Sequence, residues 1–221
     1  MATPTERPLR IETNVVGALQ ENCYLVVDAS TQRAVLVDPG SEGERLVHAV
    51  QASGAALDAI WLTHAHVDHV LGIAAVKRAW NVPIHLHPLD RPLYDRAELS
   101  ARMYGLPFEP LPPPERALAD GDTLTVGSLS FDVMHAPGHA PGHVVIHGHG
   151  VAFVGDCLFM GSVGRVDLPL SVPTDLTRSL ERIAELPDDT VVYSGHGPAT
   201  TIGHERRTNP FLNGGARVLR G

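Results

Sequence analysis

The sequence predicts a mixed α/β fold, with strands of both directions in a sheet and helices packed outside it. Three observations carry that reading. Residues 14–38 are β-rich, with short apolar runs broken by turn residues. A strand–helix–strand step follows over residues 33–62, the unit that builds parallel pairing. Apolar residues make up 43 % of the 221 positions, enough to bury a sizeable core.

Each element has a local signature. Asn14 to Asp28 reads as strand, turn, strand: Val15-Val16, a Gln20-Glu21-Asn22 turn, then Cys23 to Val27. Ala34 to Val37 is a further strand, ended by Asp38-Pro39-Gly40. Ser41 with Glu44 three residues on is a capping box, so a helix should open there and run to about Ala52. Gly54 should close it. Leu57 to Leu62 reads as a buried strand, and the apolar density from Val70 to Val76 suits a helix reaching about Trp80. Val82 to His87 is the next strand. Residues 88–114 are proline-rich, with a helical piece near 96–104, and read as an excursion over one face. Such excursions either shape binding pockets or serve as rigid surface connectors, and the sequence leaves both open. Two hairpins follow: Thr123–Val126 with Leu129–Met134, and Val144–His147 with Val151–Val154. A helix over 174–186 carries Leu176, Leu180, Ile183 and Ala184 on one stripe. Val191 to Tyr193 is the last clear strand.

Composition excludes several classes. The net charge of -8 gives no general field for nucleic acid or an acidic membrane surface. No run approaches the roughly 20 apolar residues of a membrane span. Met1 to Arg10 is polar and lacks the apolar run of a signal peptide. Cys23 and Cys157 lie far apart and make no disulfide framework. A reducing, cytoplasmic setting is therefore expected. Thirteen histidines are the compositional outlier.

Those histidines concentrate at strand ends. Thr63-His64-Ala65-His66-Val67-Asp68-His69 follows the Leu57–Leu62 strand directly. In α/β proteins that is where ligand sites gather. Imidazole is the commonest metal ligand and a carboxylate its hard partner. His64 and His66 alternate, so in extended chain they point the same way. Asp68 and His69 can turn to a second point, so one loop has donors for two ions. Three later strand ends carry matching residues: His139 or His143, Asp156 and His196, each beside glycine. Spacing alone leaves His135, His139 and His143 open.

Thr63 to His69, Pro137-Gly138-His139, Gly155-Asp156 and Gly195-His196-Gly197 resemble the motifs of the metallo-β-lactamase superfamily. Asn22 to Leu25 and Val37 to Gly40 are similar to its opening strands. The resemblance implies a four-layer αββα sandwich with two mixed β-sheets. Gly161 to Pro169 and Thr200 to Phe211 resemble the glyoxalase II-like branch, the hydroxyacylglutathione hydrolases, in its short bacterial form. Full-length members add a C-terminal helical domain for glutathione. Only Gly197 to Gly221 follow His196, so a single domain over 1–221 is expected here.

By that resemblance, His64, His66 and His139 hold one metal, Asp68, His69 and His196 hold the other, and Asp156 bridges them. Two divalent ions, zinc first with iron or manganese also suited to histidine and aspartate ligands, would lower the pKa of a water so that it attacks a carbonyl. The implied substrate is a small thioester of the S-lactoylglutathione type, a glutathione derivative. Asp68 is the residue expected to orient the nucleophile and carry its proton. Arg165 either meets an anionic substrate or pairs with Asp167. Asp38 either supports a ligand histidine or is a simple turn residue. Cys23 and Cys157 read as small buried residues rather than nucleophiles. The alternative within the same branch is a persulfide dioxygenase holding one iron through His64, His139 and Asp156.

Overall fold

The computed structural model describes residues 8–218, so Met1 to Arg7 of the polar N-terminal stretch lie outside the described residues. The first sheet contains β1 (Leu9–Val16), β2 (Glu21–Asp28), β3 (Arg33–Val37), β4 (Ala56–Trp61), β5 (Ile84–Leu86) and β6 (Arg116–Ala117), in that order. Its first two pairings are antiparallel and the rest parallel. The second sheet uses β7 (Thr123–Val126), β8 (Leu129–His135), β9 (Val144–Gly148) and β10 (Val151–Gly155). After a small hairpin, β11 (Leu158–Phe159) and β12 (Ser162–Val163), it is completed by β13 (Val191–Ser194) and β14 (Thr200–Thr201). Its order is β14-β13-β10-β9-β8-β7, with β10 and β13 parallel. Both sheets are mixed.

Side-chain alternation explains the layers. In β3, Val35 and Val37 face the second sheet and pack with Trp61, Phe131, Ile146 and Phe153. Ala34 and Leu36 face the other way, onto helices α1 (Gly43–Ser53) and α2 (Ile73–Ala79). The outer face of the second sheet packs Val145, Ala152, Val154 and Val192 against Leu176, Leu180 and Ile183. Those three residues are the buried stripe of a helix at Pro173–Ile183. This is the four-layer αββα sandwich. The excursion at 88–114 contains helices at Arg91–Tyr94 and Ala97–Tyr104.

Several boundaries differ from the sequence reading. The first turn falls at Gly17–Gln20, and Glu21 already belongs to β2. The Ser41–Glu44 capping box does not form. Glu42 is the N-cap of α1, in a left-handed conformation with φ 58, and no side chain caps the helix. Glu42 instead spends its carboxylate on Gly17 N and Arg45. Gly54 does close α1, at φ 73. The helix after the histidine loop starts only at Ile73, because Val67–His69 forms a separate 3-10 turn. The sequence reading did not include β14 or the helix at Ile202–Thr208.

Candidate metal centre

Every strand end singled out by the sequence opens onto one edge of the sandwich. The loop after β4 supplies His64, His66, Asp68 and His69, the loop after β8 His139, the end of β10 Asp156, and the end of β13 His196. The ligand-type atoms of His64, His66 and His139 lie within 4.8 Å of one another, as do those of Asp68, His69 and His196. Asp156 stands between the groups. Its Oδ2 is 3.6 Å from His139 Nε2 and 3.6 Å from His196 Nε2, and its Oδ1 is 3.6 Å from His69 Nε2. Gly195 makes the approach possible. A Cβ there would overlap Asp156 Oδ1 and press on the His69 ring.

Four of the five imidazoles are held from behind. Thr63 Oγ1 donates to Asp38 Oδ2 at 2.6 Å, so its oxygen is left to accept from His64 Nδ1 at 3.1 Å. His69 Nδ1 donates to the same Asp38 oxygen at 3.1 Å. Asp38 also accepts Thr63 N, so it acts as the support of two histidines rather than as a mere turn residue. His139 Nδ1 donates to Arg165 O at 2.8 Å, and His196 Nδ1 to Leu19 O at 3.1 Å. These bonds fix the tautomer that sends Nε2 forward. His66 instead presents Nδ1, 2.8 Å from His139 Nε2.

Three of the forward atoms have nothing to bond. His64 Nε2, His69 Nε2 and Asp156 Oδ1 are buried without a hydrogen-bond partner. Native proteins rarely leave such atoms unsatisfied. Converging imidazole and carboxylate lone pairs fit a divalent cation of the zinc, iron or manganese kind.

Of the three histidines that spacing left open, His139 enters the cluster. His143 accepts Asp156 N at Nε2, faces Cys157 Sγ with Nδ1 and stacks on His64 at 4.8 Å. Both its nitrogens are engaged behind the site. His135 bonds Pro141 O and stacks on His87. The Arg165 guanidinium lies outside the cluster in a two-pronged ion pair with Asp167, at 2.6 and 2.7 Å, and its side chain is 61 % exposed.

Burial and charge sort the protonation states. Burial, with neighbouring imidazoles, lowers the pKa of His64 and holds that of His66 at about 3. Burial also lowers His139. Burial alone would lower His69, but Asp68, Asp156 and Asp38 overcome it and raise its pKa well above the usual value. His196 is raised in the same way, chiefly against burial by its bond to Asp68. Burial pushes Asp68 up, yet His69 and His196 hold it below the usual carboxylate range.

Two buried acids were not anticipated. Asp90 accepts Ala65 N at 2.9 Å and Gly142 N at 2.5 Å, tying the loop of His64 and His66 to that of His139. Glu21 lies beside His69, its Oε1 3.7 Å from Nδ1. Glu21 reads as a turn residue from its neighbours, and Asp90 has no motif around it.

Comparison with known proteins gives this edge a context. Hydroxyacylglutathione hydrolase GloC of Haemophilus influenzae is 37 % identical, over 93 % of this chain and 99 % of its own. The crystal structure of TTHA1623 in a di-iron-bound form is 47 % identical, with a TM-score of 0.84 over 91 % of this chain and all of that one. BLEG-1 B3 metallo-beta-lactamase is 38 % identical, with a TM-score of 0.86 over 92 % of this chain and 99 % of that one. Residues 16–196, a stretch that contains every candidate donor from His64 to His196, match the metallo-beta-lactamase superfamily: this chain belongs to that superfamily.

Proposed function

We propose that this chain is a metal-dependent hydrolase that cleaves a thioester of the S-lactoylglutathione type and works with two divalent ions. The observation that carries the reading is a pair of three-residue donor groups with Asp156 between them. His64, His66 and His139 would hold one ion, and Asp68, His69 and His196 the other, with Asp156 shared. Zinc suits this donor set, as do iron and manganese. Two bound ions supply a water of lowered pKa and a Lewis acid for the developing oxyanion.

The chain's own residues do the rest. Asp68 stays ionised and lies 3.2 Å from His196 Nε2. It orients the attacking water and accepts its proton. A thiolate leaves readily, so the site needs little further acid. No serine or cysteine nucleophile is required. Cys157 is buried, and burial pushes its thiol pKa up, against a nucleophilic role. Arg165 stands at the surface beside the loop that backs His139 and can exchange Asp167 for an anionic tail of the substrate. Two free, buried cysteines fit a reducing compartment such as the cytoplasm. The likeness to GloC supports a glutathione-derived substrate.

The second donor group argues against the one-iron dioxygenase reading, which uses only His64, His139 and Asp156. The test is metal analysis of purified protein with three parallel assays. These are thioester hydrolysis, oxygen uptake with a persulfide, and hydrolysis of a cephalosporin. Two metal equivalents and thioester cleavage without oxygen uptake are expected. Oxygen consumption with one iron, or cleavage of the cephalosporin alone, would replace the proposal.

A further inference from the structure

Glu21 is 1 % exposed, and neither of its carboxyl oxygens has a hydrogen-bond partner. A buried carboxyl in that state is costly and calls for an explanation. Its surroundings supply one. Its Oε1 stands 3.7 Å from His69 Nδ1, on the side of the ring turned away from the forward nitrogen. Its backbone forms an isolated antiparallel bridge with His196. The next residue extends that link: Asn22 N donates to Gly195 O at 2.8 Å, and Asn22 Nδ2 to Ser194 O and Gly197 O at 2.9 and 2.8 Å. Gly40 lies between the Glu21 carboxyl and the Asp68 carbonyl so tightly that a Cβ there would overlap both. Glu21 thus abuts His69, His196 and, across Gly40, Asp68. His64, Ala65 and His139 lean on Thr63, Asp90 and Arg165, and the support they share with His69, Asp38, is bonded to Thr63 N and Oγ1 and not to Glu21.

We propose that Glu21 is a positioning residue that sets the metal affinity of the Asp68–His69–His196 group and leaves the His64–His66–His139 group unaffected. This rests on the two-ion reading above. The physical basis is a wedge with an acceptor face: the carboxyl fills the space behind the His69 ring and under the Asp68 backbone and turns Oε1 to the donor nitrogen Nδ1 of His69, which an amide matches in shape and only in part in acceptors, while the backbone of the same residue bridges the strand end that carries His196. Outer groups of this kind typically change metal affinity by about 10- to 100-fold.

The experiment is a zinc titration of metal-free full-length protein by calorimetry with a competing chelator. Wild type, E21A, E21Q and a single-site reference, H196A, are compared. E21A should weaken one equivalent by about 100-fold and E21Q by about tenfold, with the other equivalent within threefold of wild type. H196A should lack the equivalent that E21A weakens, and adding E21Q to H196A should change nothing further. Unchanged binding in E21Q, or equal weakening of both equivalents, overturns the proposal while leaving two ions in place. If E21A does not fold, E21Q decides alone by the same limits. A wild type that takes a single equivalent sinks the two-ion reading and this proposal with it.

Discussion

Asp90→Asn separates the stability of the fold from the setting of the site. Asp90 is fully buried, and its two oxygens accept one backbone N–H from each ligand-bearing loop. Burial raises its pKa from 3.8 to about 6, against the pull of those two donors. A carboxyl raised in the folded state opposes folding once ionised. The penalty is absent below the unfolded value of 3.8, grows as pH rises to about 6, and is constant above. At pH 7 it amounts to about 3 kcal/mol. Asparagine has the shape of the neutral acid and carries no such penalty. It keeps one acceptor and turns an NH2 against the other backbone N–H, which costs about 1–3 kcal/mol. The two effects nearly cancel, so metal-free Asp90→Asn should be as stable as wild type at pH 7, or more stable by up to about 2 kcal/mol. Lowering the pH to 5 should shift the comparison by about 1.3 kcal/mol in favour of wild type. The site fares differently. One loop loses its tie, so zinc affinity should fall about 10- to 100-fold and turnover with it. Urea denaturation at the two pH values and a zinc titration check this. Wild-type affinity with wild-type turnover in the variant would refute the tethering argument. A loss of more than about 3 kcal/mol at pH 7 would refute the electrostatic one.

Other perturbations probe the remaining parts. His66→Ala and Asp156→Ala should abolish thioester turnover while circular dichroism shows an intact fold; wild-type rates in either would mean the chemistry lies elsewhere. Gly195→Ala places a methyl on Asp156 Oδ1 and against the His69 ring. Metal content should drop in that variant and the metal-free protein should melt lower as well, since both neighbours are buried; full metal loading would show that the close approach is dispensable. In the metal-free protein, His64, His66, His139 and His143 have lowered pKa values and His69 and His196 raised ones. Below pH 6.5 the unfolded chain protonates the first four and the folded chain does not, so stability falls by about 1.4 kcal/mol per pH unit for each one fully titrating. Above pH 6.5 the raised pair loses protons that favoured folding, so the histidine contribution peaks near 6.5. Urea midpoints that rise steadily from pH 6.5 down to 5 would contradict this.

Strand and loop positions were legible because burial on both faces leaves continuous apolar runs. Ala34 to Val37 and Val151 to Val154 have little else to be, and both are strands. Helix starts were less legible. Ser41 and Glu44 have the residue types of a capping box, but Glu42 binds Gly17 N across the fold, and that tertiary bond moves the N-cap by one residue. The histidine loop likewise delays the helix that follows it. His66 O accepts His69 N at 3.0 Å, and the resulting tight turn aims Asp68 and His69 at the cluster before the helix can begin.

The candidate donors were legible for a different reason: their chemistry restricts residue type, and the need for a sharp turn puts glycine beside them. What supports them from behind is restricted only by geometry. Thr63 O accepts Val144 N and Thr63 Oγ1 binds both Asp38 and His64, yet threonine at a strand end carries no signal of that work. Asp90 and Glu21 are plainer cases. Each is a single acid in an ordinary stretch, and each becomes meaningful only when a buried carboxyl is found facing a loop far away in sequence. A cluster of imidazoles with unpartnered Nε2 atoms cannot be held by the donors alone, since the rings would rotate to find partners of their own. The buried acids therefore belong to the site as much as the histidines do, and the structure rather than the sequence is where they become visible.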